Sequence, residues 1–531
     1  MERQYSREKD DAFHHEVTAE YHEYPGFFGN IRGQLEAWHG SRGDRSVLAS
    51  IVPLPRHNPH MPKNPFLVLR GMSAMGWASF FVGWLCWMCD GYDYFSVPIT
   101  VTDLAKYFGR STKDITWAIT VTTLCRLPGA LFFGFLSDRY GRRWPLCLNM
   151  LLVFAFELGT GFVQTYEQFL AIRACFGVIM GGTWPMAVAT ALENIPIEAR
   201  GFVSGIVQQG YTVGYLLAAV IGLTVSETSK YHWRTLYWFG AGFSVLAFIA
   251  RALLPESRQY DLAKEEAEAE GLTSKEAAIN FKNSLFTMVR INWIRCLWCI
   301  CVMAAFCFLA HSSQDLYPTY LKVAKGLSPV QANKVVIIAN CGAVAGGLIG
   351  GNMSQYVGRR FSIVCSIFYT AAFMALWLLP HSFAGLAAGG FFMQMGVQSA
   401  WGVVPVYLSE CSPPAFRALF LGAFYQFGNM ASAGSAQIEA TVGQRVKIKG
   451  TDTPDYARIQ GVFVGIVLAV TLVCVVLGPE ADSSHFEAAK VAYMSGAGKA
   501  VGGEFIERDD KHHETTFVEE VTHERSRADI H

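Results

Sequence analysis

Charge is what this sequence has least of. Of its 531 residues only 16% are Asp, Glu, Lys or Arg, where soluble domains carry roughly 25%. The shortage is local, because charges crowd into 1–70, 255–295 and 479–531 and leave the stretches between them nearly bare. Length alone would allow roughly three or four soluble domains, but that patterning excludes them. Neither sign is in excess, with 43 basic and 43 acidic residues, so nothing in the charge points to a nucleic-acid partner. A secretory leader is missing too. The first sixty residues are polar, with no apolar core and no small-residue cleavage site. The first membrane helix is therefore expected to act as its own insertion signal and to leave the N-terminal tail cytosolic. No metal cluster or nucleophile–base constellation stands out. The thirteen cysteines lie mostly in apolar runs, such as Cys296, Cys299 and Cys301, where they read as small packing residues. We expect no cofactor, no metal and no enzyme.

Apolar residues, at 52%, fill the space that charge leaves. A helix needs about twenty predominantly apolar residues to cross a bilayer. Such windows fall at 73–97, 114–136, 144–164, 168–192, 201–225 and 235–254, and then at 296–318, 335–353, 361–380, 383–408, 416–437 and 460–478. The runs are continuous rather than alternating, which excludes a transmembrane barrel. Trp77, Trp144 and Tyr237 stand near window ends, as side chains at headgroup level do. The expected divisions are a tail at 1–70, a six-helix half at 71–255, a linker at 256–295, a second half at 296–480 and a tail at 481–531. Within the linker, Asp261-Leu-Ala-Lys-Glu-Glu-Ala-Glu-Ala-Glu270 reads as a solvated helix. Both tails read as disordered cytosolic segments.

Two motifs repeat. Gly134-Phe-Leu-Ser-Asp138-Arg139-Tyr-Gly141-Arg142-Arg143 follows the second window, and Gly351-Asn-Met-Ser-Gln355-Tyr-Val-Gly358-Arg359-Arg360 follows the eighth. Glu193-x-x-Pro196-x-x-x-Arg200 and Glu410-x-x-Pro413-x-x-x-Arg417 follow the fourth and tenth. Both pairs share an offset of 217 residues, so the halves are related by duplication. Paired arginines at such turns suit helix C-terminal carbonyls and an acidic partner. They form either a latch that breaks and reforms or a static surface bridge of little energetic worth. Gln355 stands where the first copy has Asp138, which predicts a stronger latch in the first half. Placing these turns in the cytosol puts Arg139, Arg142, Arg143, Arg200, Arg359, Arg360 and Arg417 there. The positive-inside rule is met only once the tails and linker are counted as well.

The Gly-x-x-x-Asp-Arg-x-Gly-Arg-Arg turn resembles the signature of the major facilitator superfamily, and Pro255-Glu256-Ser257-Arg258 resembles its motif after the sixth helix. The resemblance covers residues 70–480. It implies an all-α polytopic fold of twelve transmembrane helices in two six-helix bundles, rocking about a central site with both termini cytosolic.

Ionisable groups within the windows invite functional readings, because one at the bilayer centre costs about 2.5–3.5 kcal/mol on insertion scales. Asp90 and Asp93 lie in the first window, Arg126 in the second, Glu157 in the third, Arg173 in the fourth, and His311 and Asp315 in the seventh. Arg126 suits bidentate binding of a carboxylate, or a structural pair with Asp90 or Asp93, or both in turn. Arg173 and Glu157 read as a structural pair. His311 alone among fourteen histidines lies well within a window, and Asp315 shares its helical face at a spacing that lets the two share a proton.

His311-Ser-Ser313-Gln314-Asp315-Leu-Tyr-Pro-Thr319 is similar to the seventh-helix signature of fungal lactate/pyruvate–proton symporters. That signature runs Asn-x-x-Ser/Thr-His-x-Ser/Thr-Gln-Asp-x-x-x-Thr. Cys307 and Ala310 depart from its first part. The resemblance implies substrate-handling roles for Arg126, Gln426 and Asn429. It implies a symporter of short monocarboxylates at the plasma membrane, working as a single chain in the bilayer, with Ser313 and Gln314 also near the substrate. His311 and Asp315 would carry the proton, and Asp90 or Asp93 would rebalance Arg126. The alternatives are a transporter of a sugar, dicarboxylate or other small solute, and a non-transporting nutrient sensor.

Overall fold

The computed structural model describes residues 31, 35, 53–55, 64–110, 112–192, 195–226, 229–256, 282–283, 285–286, 289–290, 292–412, 417–448 and 455–479. The tails and the charged linker run expected from sequence lie largely outside these residues. The architecture is helical. The first half holds α1 (Pro65–Arg70), α2 (Ala74–Phe108), α3 (Thr112–Leu124), α4 (Arg126–Tyr140), α5 (Arg143–Thr160), α6 (Tyr166–Gly181), α7 (Thr183–Leu192), α8 (Ile197–Ile221) and α9 (Arg234–Leu253). The second holds α10 (Trp293–Gln314), α11 (Tyr317–Val323), α12 (Pro329–Val357), α13 (Arg359–Leu378), α14 (Phe383–Cys411), α15 (Arg417–Ser432), α16 (Ser435–Arg445) and α17 (Tyr456–Leu477).

Among the described residues eight helical stretches are long and apolar enough to cross a membrane, including Asp114–Ser137, Trp293–Val323 and Tyr456–Leu477. The first, third, tenth and eleventh windows complete the twelve as α2, α5, α14 and α15. Outward side chains are large and apolar, as lipid-facing surfaces require: Phe132, Leu246, Phe368 and Val462 are all more than half exposed.

Several windows break where sequence chemistry dictates. Pro128 has no N–H to offer the Leu124 carbonyl, and the second window divides at Cys125 into α3 and α4. Pro318 does the same to Gln314, so the seventh window divides after Asp315. These breaks set Arg126 and Asp315 at helix ends, where their side chains turn inward.

Glycine sets how closely the rods approach. A Cβ at Gly129 would fall 1.5 Å from the Val178 carbonyl oxygen, and one at Gly181 would fall 1.8 Å from that of Arg126. The halves meet in the same way at the end that carries the Gly-Arg-Arg turns. There Gly205 abuts Gly347, Gly201 N donates to Gln355 Oε1 at 2.7 Å, and Ser204 Oγ donates to the Gly402 carbonyl at 3.0 Å. Toward the far end, Gln437 Nε2 donates to Thr116 Oγ1 at 2.9 Å. The halves therefore touch on both sides of the centre.

Candidate functional site

Between the halves lies a cavity of about 30 Å³, room for about one water. Its polar wall comes from Gln208 on α8, His311 and Gln314 on α10, Gln398 on α14 and Asn429 on α15, with Asp315 just beyond the end of α10. Tyr94, Tyr211, Trp401 and Tyr425 supply aromatic faces. Stacking continues outward, with Trp87 4.7 Å from Tyr211 and Trp184 4.4 Å from Tyr425.

His311 is the hub. Its Nδ1 lies 2.9 Å from Asp315 Oδ2, and its Nε2 lies 3.4 Å from Asn429 Oδ1. Both ring nitrogens thus face oxygen acceptors, which leaves a place for a shared proton between Nδ1 and the carboxylate. The chain continues, because Asn429 Nδ2 donates to Gln426 Oε1 at 2.8 Å and Gln426 Nε2 donates to the Gly181 carbonyl at 3.2 Å. A line of polar groups therefore runs from Asp315 in the second half to the end of α6 in the first. Gly181 also packs on the Arg126 backbone, so the chain ends beside the arginine.

Arg126 is 2% exposed. Its guanidinium lies 5.0 Å from the centre of the Tyr94 ring and against Met180 Sδ. Asp90 Oδ2 stands 3.9 Å from its Nη2, too far for a hydrogen bond. Arg126 Nε and both Asp90 carboxylate oxygens have no hydrogen-bond partner among the described residues. A loose ion pair whose arginine Nε lacks an acceptor among the described residues leaves a donor for a second carboxylate. Tyr94 separates it from the cavity.

The remaining sequence candidates fall in different places. Asp93 lies apart from Arg126; it is fully buried, with Oδ1 packed against Gly240 of α9. Glu157 and Arg173 form the expected pair at 2.7 Å, both buried. Gln314 borders the cavity and donates to Gln394 Oε1 at 3.0 Å. Ser313 is buried, and its hydroxyl turns back to the Leu309 carbonyl at 2.8 Å. Gln426 is fully buried and supports Asn429 rather than facing the cavity.

At the repeated turns, Gly141 and Gly358 have φ of 83° and 90°, a region that favours glycine. In the first half, the amides of Arg142 and Arg143 donate to Glu256 at 3.0 and 2.8 Å, and Arg143 Nη2 reaches the Ala252 carbonyl at the end of α9 at 2.6 Å. Glu256, from the Pro-Glu-Ser-Arg segment, is thus an acidic partner of this turn. In the second half, Arg360 Nε reaches the Val475 carbonyl of α17 at 3.2 Å, mirroring Arg143. Arg359 forms a fork with Glu410 at 3.1 and 3.0 Å, although Gln355 replaces the aspartate there. Gln355 Oε1 accepts both from Arg359 Nη1 at 3.3 Å and, across the halves, from Gly201 N. Gly134 packs on Leu419 of α15, Arg139 stacks on Tyr140, and Arg200 is 1% exposed. Glu193 and the Asp138 side chain lie outside the described residues.

Sequence reasoning missed Tyr94, Tyr211, Gln208, Gln398, Trp401 and Tyr425. One signal was within reach, because Tyr94 lies 217 residues before His311 and so shares its register. The others are neutral or aromatic residues in apolar runs and give no such cue.

Three comparisons bear on this arrangement. Residues 77–436 match the model of the Major Facilitator Superfamily. The chain is 31% identical over 433 residues to a carboxylic acid transporter protein homolog of Saccharomyces cerevisiae, covering 78% of this chain and 70% of the relative. It is 26% identical to a sialic acid transporter of Escherichia coli, covering 66% and 82%. The xylose transporter of E. coli, in a partially occluded inward-open conformation, superposes with a TM-score of 0.58 at 18% identity, covering 75% of this chain and 97% of that one. The protein is therefore a multi-pass membrane transporter rather than an enzyme, and it belongs to the major facilitator superfamily.

Proposed function

We propose that this chain is a proton-coupled symporter of small monocarboxylates, lactate or pyruvate in the first instance, working by alternating access at the plasma membrane with both termini cytosolic. The observation that carries the reading is the His311–Asp315 contact at 2.9 Å in the cavity wall, beside an arginine whose nearest carboxylate stays at 3.9 Å. One group of sites has room for a proton, and the other has an arginine whose Nε lacks an acceptor among the described residues. The similarity to carriers named for carboxylic and sialic acids supports an organic acid as cargo.

In this mechanism Arg126 takes the substrate carboxylate when Tyr94 moves aside, and Asp90 balances the arginine when the site is empty. Gln314, Asn429 and Gln208 face the hydroxyl or keto oxygen. His311 and Asp315 hold the proton, and Gln426 keeps Asn429 oriented toward the imidazole. Ser313 serves by fixing the turn that carries Gln314. The polar chain to Gly181 lets occupancy on one half be felt on the other. The contacts at Gly201–Gln355, Ser204–Gly402 and Gly205–Gly347 must part for release, and the Glu256- and Glu410-bound turns hold each bundle rigid while they do.

One proton carried with one monovalent anion is electroneutral, so each pH unit supplies about 1.4 kcal/mol, or tenfold accumulation. Uptake of labelled lactate into yeast lacking its own carriers tests this. Uptake should rise as external pH falls, and uptake indifferent to external pH would overturn the proton-coupled reading.

A further inference from the structure

The mechanism above leaves several buried carboxylates unused, Asp93 and Glu439 among them. Glu439 lies on α16, which resumes the eleventh window after the break at Ala433–Gly434, and it is 1% exposed. Its Oε2 accepts a 3.3 Å hydrogen bond from Gln460 Nε2 in the first turns of α17. Its Oε1 has no hydrogen-bond partner among the described residues, and neither does Gln460 Oε1. Two acceptor oxygens in one dry pocket without a donor are costly. A hydrogen on Glu439 Oε1 supplies the missing donor.

Among the described residues no ion pair joins Glu439 to a cation. Helix α16 packs against α10 and α17. From the α10 side the charged group that acts on Glu439 is Asp315, and from α17 the titratable neighbour is Tyr456. Three other carboxylates differ in this respect: Glu157 has Arg173, Glu410 has Arg359, and Asp315 has His311, whereas Asp93 is buried with neither oxygen hydrogen-bonded among the described residues. Glu439 instead stands where helix eleven is interrupted, within electrostatic reach of the carboxylate where helix seven is interrupted.

We propose that Glu439 is a proton-holding station at the far end of the protein, exchanging its proton with the Asp315–His311 pair. The inference rests on the proton-coupled reading of the central site. In the step, the Oε1–H bond of Glu439 breaks and an O–H bond forms on the Asp315 carboxylate, through an intervening water. Glu439 then takes a proton from solution at that end. The polar line thus extends from Glu439 through Asp315, His311, Asn429 and Gln426 to Gly181. Glu439 touches neither the cavity nor Arg126 and acts on transport through Asp315.

The test uses the full chain in proteoliposomes, with labelled lactate as probe, and compares wild type with E439Q and E439D. Under a gradient of one pH unit, wild type should accumulate lactate about tenfold. E439Q should lose that accumulation and its pH profile should flatten, while lactate–lactate exchange at equal pH persists and E439D recovers part of the driven uptake. A wild-type pH profile in E439Q overturns the proposal. So does equal loss of driven uptake and exchange, which marks a residue needed for folding alone. Infrared difference spectroscopy gives a second readout that needs no substrate. The C=O stretch of a protonated carboxylic acid should be present in wild type and absent in E439Q, and a band unchanged by the substitution overturns the proposal. Wild-type uptake that ignores pH sinks the central proton-coupled reading instead.

Discussion

Tyr94 and His311 lie 217 residues apart, the same offset that relates the two halves, and their side chains meet with Tyr94 Oη 3.5 Å from His311 Nδ1. Equivalent positions of a duplicated sequence thus face one another across the centre, one aromatic and one titratable. Tyr94 also covers Arg126, so a single ring touches both the His311 imidazole and the Arg126 guanidinium.

Tyr94→Phe keeps the ring over Arg126 and removes only a long hydroxyl contact. Its effect on uptake should stay under about fivefold, the scale of a weak neutral hydrogen bond. Tyr94→Ala removes the cation–π contact, worth about 0.5–2 kcal/mol, and should weaken transport more. Initial rates against lactate concentration separate the two, and equal losses would show that the ring is not the part that matters.

Arg126→Lys retains the positive charge and loses the planar fork. If the fork binds substrate, KM should rise by about 10–100-fold, corresponding to about 1.5–3 kcal/mol for charge-assisted hydrogen bonds. The variant should reach the membrane in normal amount, measured by surface labelling. Unchanged KM would argue that Arg126 pairs with Asp90 for structural reasons only.

Asp315→Asn removes the carboxylate that faces His311 Nδ1 at 2.9 Å. If the proton is a co-substrate, wild-type uptake should climb as external pH is lowered from about 7 to 5, the range in which histidine changes charge. The variant should show a flat profile over that range with exchange preserved. A profile parallel to wild type would remove Asp315 from the proton path.

Glu157→Gln leaves Arg173 buried without its counter-ion. Removing one partner of a buried pair costs about 3–5 kcal/mol, so the variant should unfold at markedly lower temperature in detergent. Replacing both residues, Glu157→Gln with Arg173→Met, should recover most of that loss. Should the double variant unfold no later than the single one, a static pairing role fails.

The repeat, the twelve windows and the His311–Asp315 spacing were all legible in the chain, because each depends on residues close in sequence or on a fixed offset. Helix geometry alone puts residues four apart on one face. The latch was legible only in outline. The Gln355 substitution suggested a weaker second turn, yet Arg359 reaches Glu410 regardless and Gln355 bonds to the other half. Asp90 and Asp93 read as interchangeable partners for Arg126, because residues three apart lie only about 60° apart around a helix, yet that offset is enough to send them to different neighbours. Asp90 faces the arginine, while Asp93 packs toward Gly240.

By itself the sequence determined that this chain crosses a membrane many times in two related halves and which ionisable groups lie within it, since both follow from hydropathy and repetition. Only the tertiary structure decided which of those groups meet. The halves approach at Gly205 and Gly347, Gln426 of the second half reaches the Gly181 carbonyl of the first, and Tyr94 meets His311 across the centre. Such contacts join residues hundreds of positions apart, and no local pattern specifies them. The cavity is likewise a product of that meeting, because its lining comes from both halves, Tyr94 and Tyr211 on one side and His311 and Asn429 on the other.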